Sequence, residues 1–288
     1  MEWVNALVQG ILLGGLYALF ATGLSMMFGV MRIVNLAHGD LAVLAAFLTL
    51  ATVMGTGIPL WVAVVVVAPL FGLLGYLTQR VLLQRGLAAG PMSTLVATFG
   101  LSIIIQNVLL EVFSADTRTL DAGNLALTSL RVNEYVAVPW LALLTFGLAL
   151  LVMVALQAFL SRTSLGRIMR ATSDDRDTAT LVGADSRHVY GVATAIAFAT
   201  VALAGMLMAM RSSVDPSAGQ VRLLFAFEAV VIGGLGSLWG TLLGGMLLGL
   251  TQALGSQIDP ALTILGGHLV FLAVLAFRPE GLIPRRKL

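Results

Sequence analysis

The feature that most constrains this chain is a series of long apolar runs along nearly its whole length. The runs lie at 6–30, 33–54, 58–79, 92–113, 135–160, 189–210, 222–255 and 261–277. About 20 residues of helix cross the hydrocarbon core of a bilayer, so most runs are long enough for one crossing. Of the 288 residues, 59% are hydrophobic and 10% are charged. A water-soluble fold cannot bury this much apolar surface, so the sequence predicts an all-α, polytopic integral membrane protein.

The run 222–255 is too long for a single crossing. Its 34 residues would form a helix about 50 Å long. Gly233, Gly234 and Gly236 lie near its middle, so we split the run there into spans near 222–235 and 238–256. The alternative is a re-entrant hairpin, which changes the number of crossings. The sequence therefore predicts 8–9 transmembrane helices.

Arginine placement predicts the orientation, because cytoplasmic loops are enriched in basic residues. The most basic segment is 161–188, and the C-terminal tail holds Arg278, Arg285, Arg286 and Lys287. Both are expected in the cytoplasm, which requires an even number of spans between them. The split of 222–255 provides four, and the N-terminus is then outside. The halves 1–160 and 189–288 would have opposite orientation within a single domain, as in the inverted repeats of transporters.

Composition also excludes several classes of function. There is no cysteine, so disulfides and thiolate metal ligands are excluded, and the histidines lack partners at metal-ligand spacing. Lys287 is the only lysine, and a phosphate-binding Walker A loop needs a lysine after its glycines. The formal net charge of +2 gives no reason to expect a nucleic-acid partner. Ser237 and His268 could imitate a hydrolytic pair, but no nucleophile elbow surrounds Ser237.

Polar and ionisable side chains inside apolar runs are costly, and they mark either a transport pathway or a buried pair. Asn35, His38, Asp40 and Glu228 are therefore candidates for the translocation path or its gate. The alternative is structural, because Asn35 and Asp40 are also good helix-capping residues. The glycines at 233, 234 and 236 join these candidates, because an interrupted helix in the membrane must face protein or a water-filled cavity. Other glycines four residues apart predict close helix packing, namely Gly10 with Gly14, Gly240 with Gly244 and Gly245 with Gly249.

The 161–188 segment is the largest polar insertion, and it is expected to form two short amphipathic helices. Apolar residues recur at helical spacing in two groups, Ile168, Met169 and Ala171, then Ala179, Leu181 and Val182. Ser173 is a candidate cap for the second helix, ahead of acidic residues that suit its N-terminal dipole. A solvated linker would not need such spacing. The segment therefore predicts a docking surface for a cytoplasmic partner.

Three motifs resemble one known family. They are Val34-Asn35-Leu36-Ala37-His38-Gly39-Asp40, then the stretch from Glu228 to Ser237 with Trp239 to Gly245, and finally Thr163 to Arg167 with the residues that follow it. Over essentially its full length the chain resembles the permease subunits of branched-chain amino acid ABC importers (LivH type). The third motif is similar to the cytoplasmic coupling loop that docks on an ATP-binding subunit in such importers.

The resemblance implies an assembly in the bacterial inner membrane. A second permease subunit would complete the pathway, two ATP-binding subunits would bind ATP and Mg²⁺, and a periplasmic or lipid-anchored protein would deliver substrate. This chain would hold no cofactor and would not be an enzyme. The expected coupling residues are Gly166, Arg170, Ala171, Asp177 and Gly183. Relatives carrying urea, short amides or other amino acids leave the substrate open, and the alternative from another class is a self-sufficient channel or secondary carrier.

Overall fold

The structure, a computed structural model, describes residues 2–131 and 137–283. The basic tail residues Arg285, Arg286 and Lys287 lie outside this part of the chain. The described residues form thirteen α-helices, a π-helical turn at Gln79–Leu83 and one two-stranded antiparallel hairpin. The hairpin lies in the loop before the fifth long helix and is a small addition to the expected all-α fold.

The helices and strands follow in chain order: α1 (Glu2–Met31), α2 (His38–Thr56), α3 (Leu60–Thr78), α4 (Gln84–Ala89), α5 (Pro91–Phe113), α6 (Asn124–Leu127), β1 (Ser129–Arg131), β2 (Ala137–Pro139), α7 (Trp140–Arg162), α8 (Ser164–Asp174), α9 (Arg176–Leu181), α10 (Ser186–Arg211), α11 (Gly219–Gly233), α12 (Leu238–Ile258) and α13 (Leu262–Phe277).

Seven of the described helical stretches are long and apolar enough to cross a membrane, with α3, the π-helical turn and α4 forming one continuous stretch of 30 residues. The helix α13 is apolar but has 16 residues, and α11 has 15. These two measure about 24 and 22 Å at 1.5 Å per residue, less than the roughly 30 Å hydrocarbon core. The architecture is that of an all-α polytopic membrane protein.

Helix α1 lies at the centre of the bundle and packs along α12 through glycines. A Cβ atom on Gly14 would lie 2.4 Å from the Met246 Cα, and one on Gly249 would lie 2.4 Å from the Gly10 carbonyl oxygen. No side chain fits in such gaps, so the two backbones touch directly. The close packing predicted for Gly10, Gly14, Gly245 and Gly249 is confirmed.

The start of α2 differs from the prediction. The apolar run begins at residue 33, whereas the helix begins at His38, whose Nε2 lies 2.9 Å from the Phe20 carbonyl oxygen. Phe20 is eleven residues before the end of α1, so the non-helical segment 32–37 returns roughly 16 Å along α1. Arg32 makes the reversal with a φ of 56°. A non-helical apolar segment is as hydrophobic as a helix, so hydropathy alone could not separate the two.

A second interruption lies between α10 and α11. The segment 212–218 is non-helical, and α11 begins at Gly219, three residues before the expected start. There the starts of α2 and α11 touch, because a Cβ on Gly39 would lie 1.8 Å from the Gly219 carbonyl oxygen. Helices α1 and α10 pack in corresponding ways. Helix α1 contacts α11 and α12, the two helices that follow α10, and α10 contacts α2 and α3, the two helices that follow α1.

The predicted break after α11 is confirmed. The helix ends at Gly233, and Gly234 and Gly236 follow with φ values of 112° and 81°, which favour glycine. The backbone N–H groups of Leu282 and Ile283 donate to the carbonyl oxygens of Ile232 and Gly233, each at 2.9 Å. The residues after α13 therefore satisfy carbonyl groups that the end of α11 leaves without an intrahelical partner.

Candidate functional site

The 161–188 segment forms the two short helices that the sequence predicts, α8 and α9. The Thr163 hydroxyl caps α8 by accepting the Gly166 N–H at 3.0 Å. The second cap is Asp175, whose Oδ1 accepts the N–H groups of Asp177 at 3.0 Å and Thr178 at 3.1 Å. The expectation that Ser173 caps α9 is wrong, because Ser173 is still inside α8 and donates to the Arg170 carbonyl oxygen.

Both acidic caps in this region have a lowered pKa. The Thr178 hydroxyl and backbone N–H groups donate to Asp175, and these bonds hold the pKa of its carboxyl below the usual value. Asp185 caps α10, and the His188 N–H contributes most to a lowered pKa there as well. Both carboxylates are therefore charged at neutral pH, which is the form that favours a helix N-terminus.

The helix pair has a buried side and three exposed apolar residues, Ile168, Leu181 and Val182, which together we call its apolar face. Met169 is fully buried in a cluster with residues from the end of α1, including Met26 and Met27. On the other side Leu181 is 88% exposed and Val182 is 82% exposed, and Ile168 is also exposed. These side chains are available for contact with a partner.

The five expected coupling residues do not form one cluster. Gly166 packs against α7, where a Cβ would lie 2.2 Å from the Phe159 carbonyl oxygen. Gly183 ends α9 with a φ of 92°. Ala171 and Asp177 are exposed, whereas Arg170 is half-buried. Two of the five are thus glycines at positions where a larger side chain would clash or strain the backbone.

A cavity of about 750 Å³ opens beside α8. Arg167 and Arg170 of α8 line it together with Gly29 of α1, and Gly236 lines it from the turn before α12. Ile283, which follows α13, completes the wall. The cavity therefore brings Arg170 from the expected coupling set beside Gly236 from the expected path set.

The polar path candidates lie elsewhere, inside helix interfaces. His38 is fully buried against α1, and Asn35 accepts the Ala37 N–H through its Oδ1 at 3.0 Å. Asp40 is 1% exposed and accepts a hydrogen bond of 2.5 Å from Ser102 of α5. None of these side chains lines the large cavity. Ser102 could have drawn attention as a hydroxyl within the apolar run of α5, but its partner depends on tertiary packing.

Glu228 is buried in the interface between α11 and α13. Its Oε1 is hydrogen-bonded to His268 Nδ1, and the His268 ring stacks on Phe225 at a centroid distance of 6.4 Å. Ser237 accepts the Gly240 N–H through its hydroxyl oxygen. Ser237 and His268 thus have separate partners, which gives no support to a hydrolytic pair.

The apolar helix bundle, its interrupted helices and the helix pair beside an open cavity define a polytopic membrane protein. The family description "Branched-chain amino acid transport system / permease component" matches residues 6–277. The chain belongs to this family of transport permeases.

Two relatives match the chain over nearly its full length, and a third matches about half of it. The chain is 32% identical to the high-affinity branched-chain amino acid transport system permease protein BraD of Pseudomonas aeruginosa, covering 99% of this chain and 96% of BraD. Identity to the corresponding permease protein LivH of Escherichia coli K12 is 27%, with the same coverage. The E. coli permease protein LivM is 31% identical over 48% of this chain and 33% of its own length.

Proposed function

We propose that this chain is a permease subunit of an ATP-driven ABC importer that carries branched-chain or related hydrophobic amino acids. The family membership and the names of BraD and LivH support this substrate class. The chain would act as one domain of two inverted halves in the bacterial inner membrane, with its N-terminus outside and its C-terminus in the cytoplasm. The matched packing of α1 and α10 supports the inverted halves.

The assembly would contain the partners that the resemblance implies. A second permease would complete the pathway, and the partial similarity to LivM favours a related but different chain. Two ATP-binding subunits would hold ATP and Mg²⁺, and a periplasmic or lipid-anchored protein would deliver substrate. Affinity for substrate would then belong mainly to the delivery protein.

The observation that carries the proposal is the exposed apolar face on α8 and α9. Leu181 and Val182 end the second helix, and both are more than four-fifths exposed. Burying such side chains against a partner is favourable by about 1.5–3 kcal/mol each. Caps at Thr163 and Asp175 fix the two helices, so the face is held ready for docking.

If this face moved with a docked partner, the buried side of α8 would transmit the movement to the membrane helices that it contacts. Met169 packs on the end of α1, and Arg170 shares the large cavity with Gly236. A displaced α8 would therefore push on α1 and change the shape of the cavity that it shares with the turn between α11 and α12. Asn35, His38, Asp40 and Glu228 would hold the interfaces that rearrange, and the glycines at 233, 234 and 236 would permit the turn to move.

The docking role is tested by Leu181→Asp in the full complex. We expect the ATP-binding subunits to be lost from the purified assembly and substrate-stimulated ATPase activity to fall at least 10-fold. The matched control is Leu127→Asp in α6, because Leu127 is 84% exposed but lies in the loop before α7. Co-purification of ATP-binding subunits with the Leu181 variant at the wild-type ratio would refute the docking role.

The other functions make different predictions in proteoliposomes. A self-sufficient channel or carrier would take up amino acid with this chain alone and without ATP. A transporter for urea or short amides would take up those solutes with ATP and its partners and would not take up leucine. We expect uptake of leucine to require ATP, both partner types and the delivery protein.

A further inference from the structure

The large cavity beside α8 lies at the level where three membrane-spanning helices end or begin. Gly29 is two residues before the end of α1, Ser161 is one residue before the end of α7, and Leu238 is the first residue of α12. Helix α7 has 23 residues and is about 35 Å long, slightly more than the roughly 30 Å hydrocarbon core. Its end therefore reaches the lipid headgroups, and the cavity lies at the same depth.

Two arginines of α8 form the cationic wall of this cavity. Arg170 is half-buried, and its buried Nε makes no hydrogen bond in the part of the chain that the structure describes. Arg167 donates to the Arg162 carbonyl oxygen at 3.3 Å, a bond that uses only one of its five donors. No carboxylate oxygen of a described residue lies within 4 Å of either guanidinium. A guanidinium partly removed from water is destabilising without an acceptor, so this wall favours an anion.

The other polar groups at the cavity are compatible with an anionic ligand. The Ser25 hydroxyl of α1 is buried, and it too has no hydrogen-bond partner among the described residues. It can donate its proton to an anionic oxygen. Asp174 also lines the cavity, and this residue already has an interaction partner. Because two arginines line the cavity with it, the described lining keeps a net positive charge.

Much of the remaining lining is apolar. Leu160 of α7 and Leu238 of α12 contribute aliphatic side chains, and Trp239 beside them is 43% exposed. Tryptophan is enriched at membrane interfaces, where its ring lies at the level of the headgroups. The cavity therefore combines a cationic wall with an apolar wall at the depth where phospholipids have the same two parts.

This combination suits an anionic phospholipid better than a soluble phosphate. The planar fork of arginine donates two parallel hydrogen bonds to a phosphate group, and basic pockets between transmembrane helices bind anionic headgroups. The volume of about 750 Å³ lies within the range of about 300–1,000 Å³ that is usual for ligand cavities. A soluble phosphate would leave the apolar wall in water, whereas the glycerol and acyl groups of a lipid would cover it.

We infer that this cavity binds an anionic phospholipid, with Arg167 and Arg170 holding its phosphate and the apolar wall contacting its acyl chains. The lipid would connect α8 with the ends of α1 and α7 and with the start of α12, which line the same cavity. This site goes beyond the proposed function, since it does not depend on the transported solute. Sequence analysis did not bring Arg167 and Arg170 together with Trp239, because their proximity depends on how α8 packs on α1 and α7.

The test uses the full complex, purified in detergent and freed of bound lipid. Native mass spectrometry follows binding of phosphatidylglycerol and of phosphatidylcholine with the same acyl chains over a concentration series. We expect the wild type to bind phosphatidylglycerol more tightly, because a choline group would bring a second cation beside the arginines. For Arg167→Gln and Arg170→Gln we expect the Kd for phosphatidylglycerol to rise about 10-fold, as for the loss of a charged hydrogen bond.

Control variants separate this site from general attraction of anionic lipid to basic residues. Arg162→Gln makes the same charge change at an exposed residue at the end of α7 that does not line the cavity, so it should leave the Kd unchanged. Arg170→Lys retains the charge without the fork and should lose less affinity than Arg170→Gln. Thermal unfolding identifies a variant that fails to fold, and the exposed Arg167 then decides.

Inorganic phosphate and glycerol phosphate distinguish a lipid from a soluble anion. Neither compound in large excess should displace phosphatidylglycerol from the wild type, since neither contacts the apolar wall. Displacement by inorganic phosphate would overturn the lipid assignment. So would equal affinity of the wild type for the two lipids, or an unchanged Kd in both glutamine variants. These results would leave the proposed importer function intact, whereas failure of the wild-type complex to import leucine would refute that function and not the lipid site.

Discussion

At the scale of single residues, two glycines allow the starts of α2 and α11 to meet inside the bundle. Gly39 faces the Gly219 carbonyl, and Gly219 in turn faces the Asp40 carboxylate, where a Cβ would lie 2.0 Å from Oδ1. The atoms on both sides are backbone or a buried side chain, which cannot move aside cheaply. The junction of the two interrupted helices therefore requires glycine at both positions.

Gly39→Ala should destabilise the protein by about 1–3 kcal/mol, because the added methyl group must displace backbone. The matched control is Gly100→Ala in α5, where nothing lies within 4 Å of the added atom. That control should be neutral or stabilise by up to about 1 kcal/mol, since alanine favours helix over glycine. Thermal unfolding in detergent measures both. An equal unfolding temperature for wild type and the Gly39 variant would contradict the contact.

Spacing along one helix predicted some of these residue contacts and not others. Gly10 and Gly14 lie on one helix face, so their role in close packing follows from the sequence alone. The contact of Gly39 with Gly219 joins residues 180 positions apart. The contact exists because the non-helical segments 32–37 and 212–218 both lead the chain back toward the middle of the bundle. No local sequence pattern predicts the path of either segment. The partners of Asp40 and Glu228 were hidden for the same reason.

At the scale of helices, apolar runs predicted which elements exist better than where each begins. The two amphipathic helices of the 161–188 segment and the break at Gly234 followed from helical spacing and from glycine. Helix α2 begins five residues later than predicted, because a non-helical apolar segment buried against protein satisfies the same hydropathy test as a helix. The N-cap of α9 is Asp175 and not the predicted Ser173. The sequence could not distinguish them, since several residues of capping type are neighbours there.

The Asp175 cap predicts a pH dependence for α9. The pKa of Asp175 is lowered by its bonds from Thr178 and the backbone, so the charged cap stabilises the helix above the unfolded pKa of about 3.9. That stabilisation is lost as pH falls through the lower folded pKa. We expect hydrogen-exchange protection of the Asp177 and Thr178 amides to decline in this acidic range. Asp175→Asn should cap without titrating, so a decline of equal size in that variant would contradict the assignment.

At the scale of the whole molecule, three separate parts of the chain meet at one end of the bundle. Arg170 of α8, Gly236 of the turn before α12 and Ile283 after α13 line the same cavity. They must therefore lie on the same side of the membrane or at the same depth near it. If the basic 161–188 segment is cytoplasmic, the turn and the residues after α13 are cytoplasmic too. Gly29, near the end of α1, lines the same cavity, so the start of this 30-residue helix would then be outside.

This arrangement is testable because the chain has no cysteine of its own. Single substitutions Leu127→Cys, Val182→Cys, Leu235→Cys and Phe277→Cys place thiols at exposed sites. In intact spheroplasts, a membrane-impermeant maleimide should label the Leu127 variant only. The other three should react after permeabilisation if, as we propose, the 161–188 segment, the turn before α12 and the end of α13 face the cytoplasm. Labelling after denaturation controls for expression.

Each departure from this pattern identifies a different topology. Labelling of the Phe277 variant from outside would mean that the run 222–255 crosses once and that the C-terminus is external. A Leu235 variant that stays unlabelled after permeabilisation, while the Val182 variant reacts, would make α11 and α12 a re-entrant hairpin. Labelling of the Val182 variant from outside would remove the docking face from the cytoplasm. In that case no ATP-binding subunit could reach it, and the proposed coupling through α8 would be wrong.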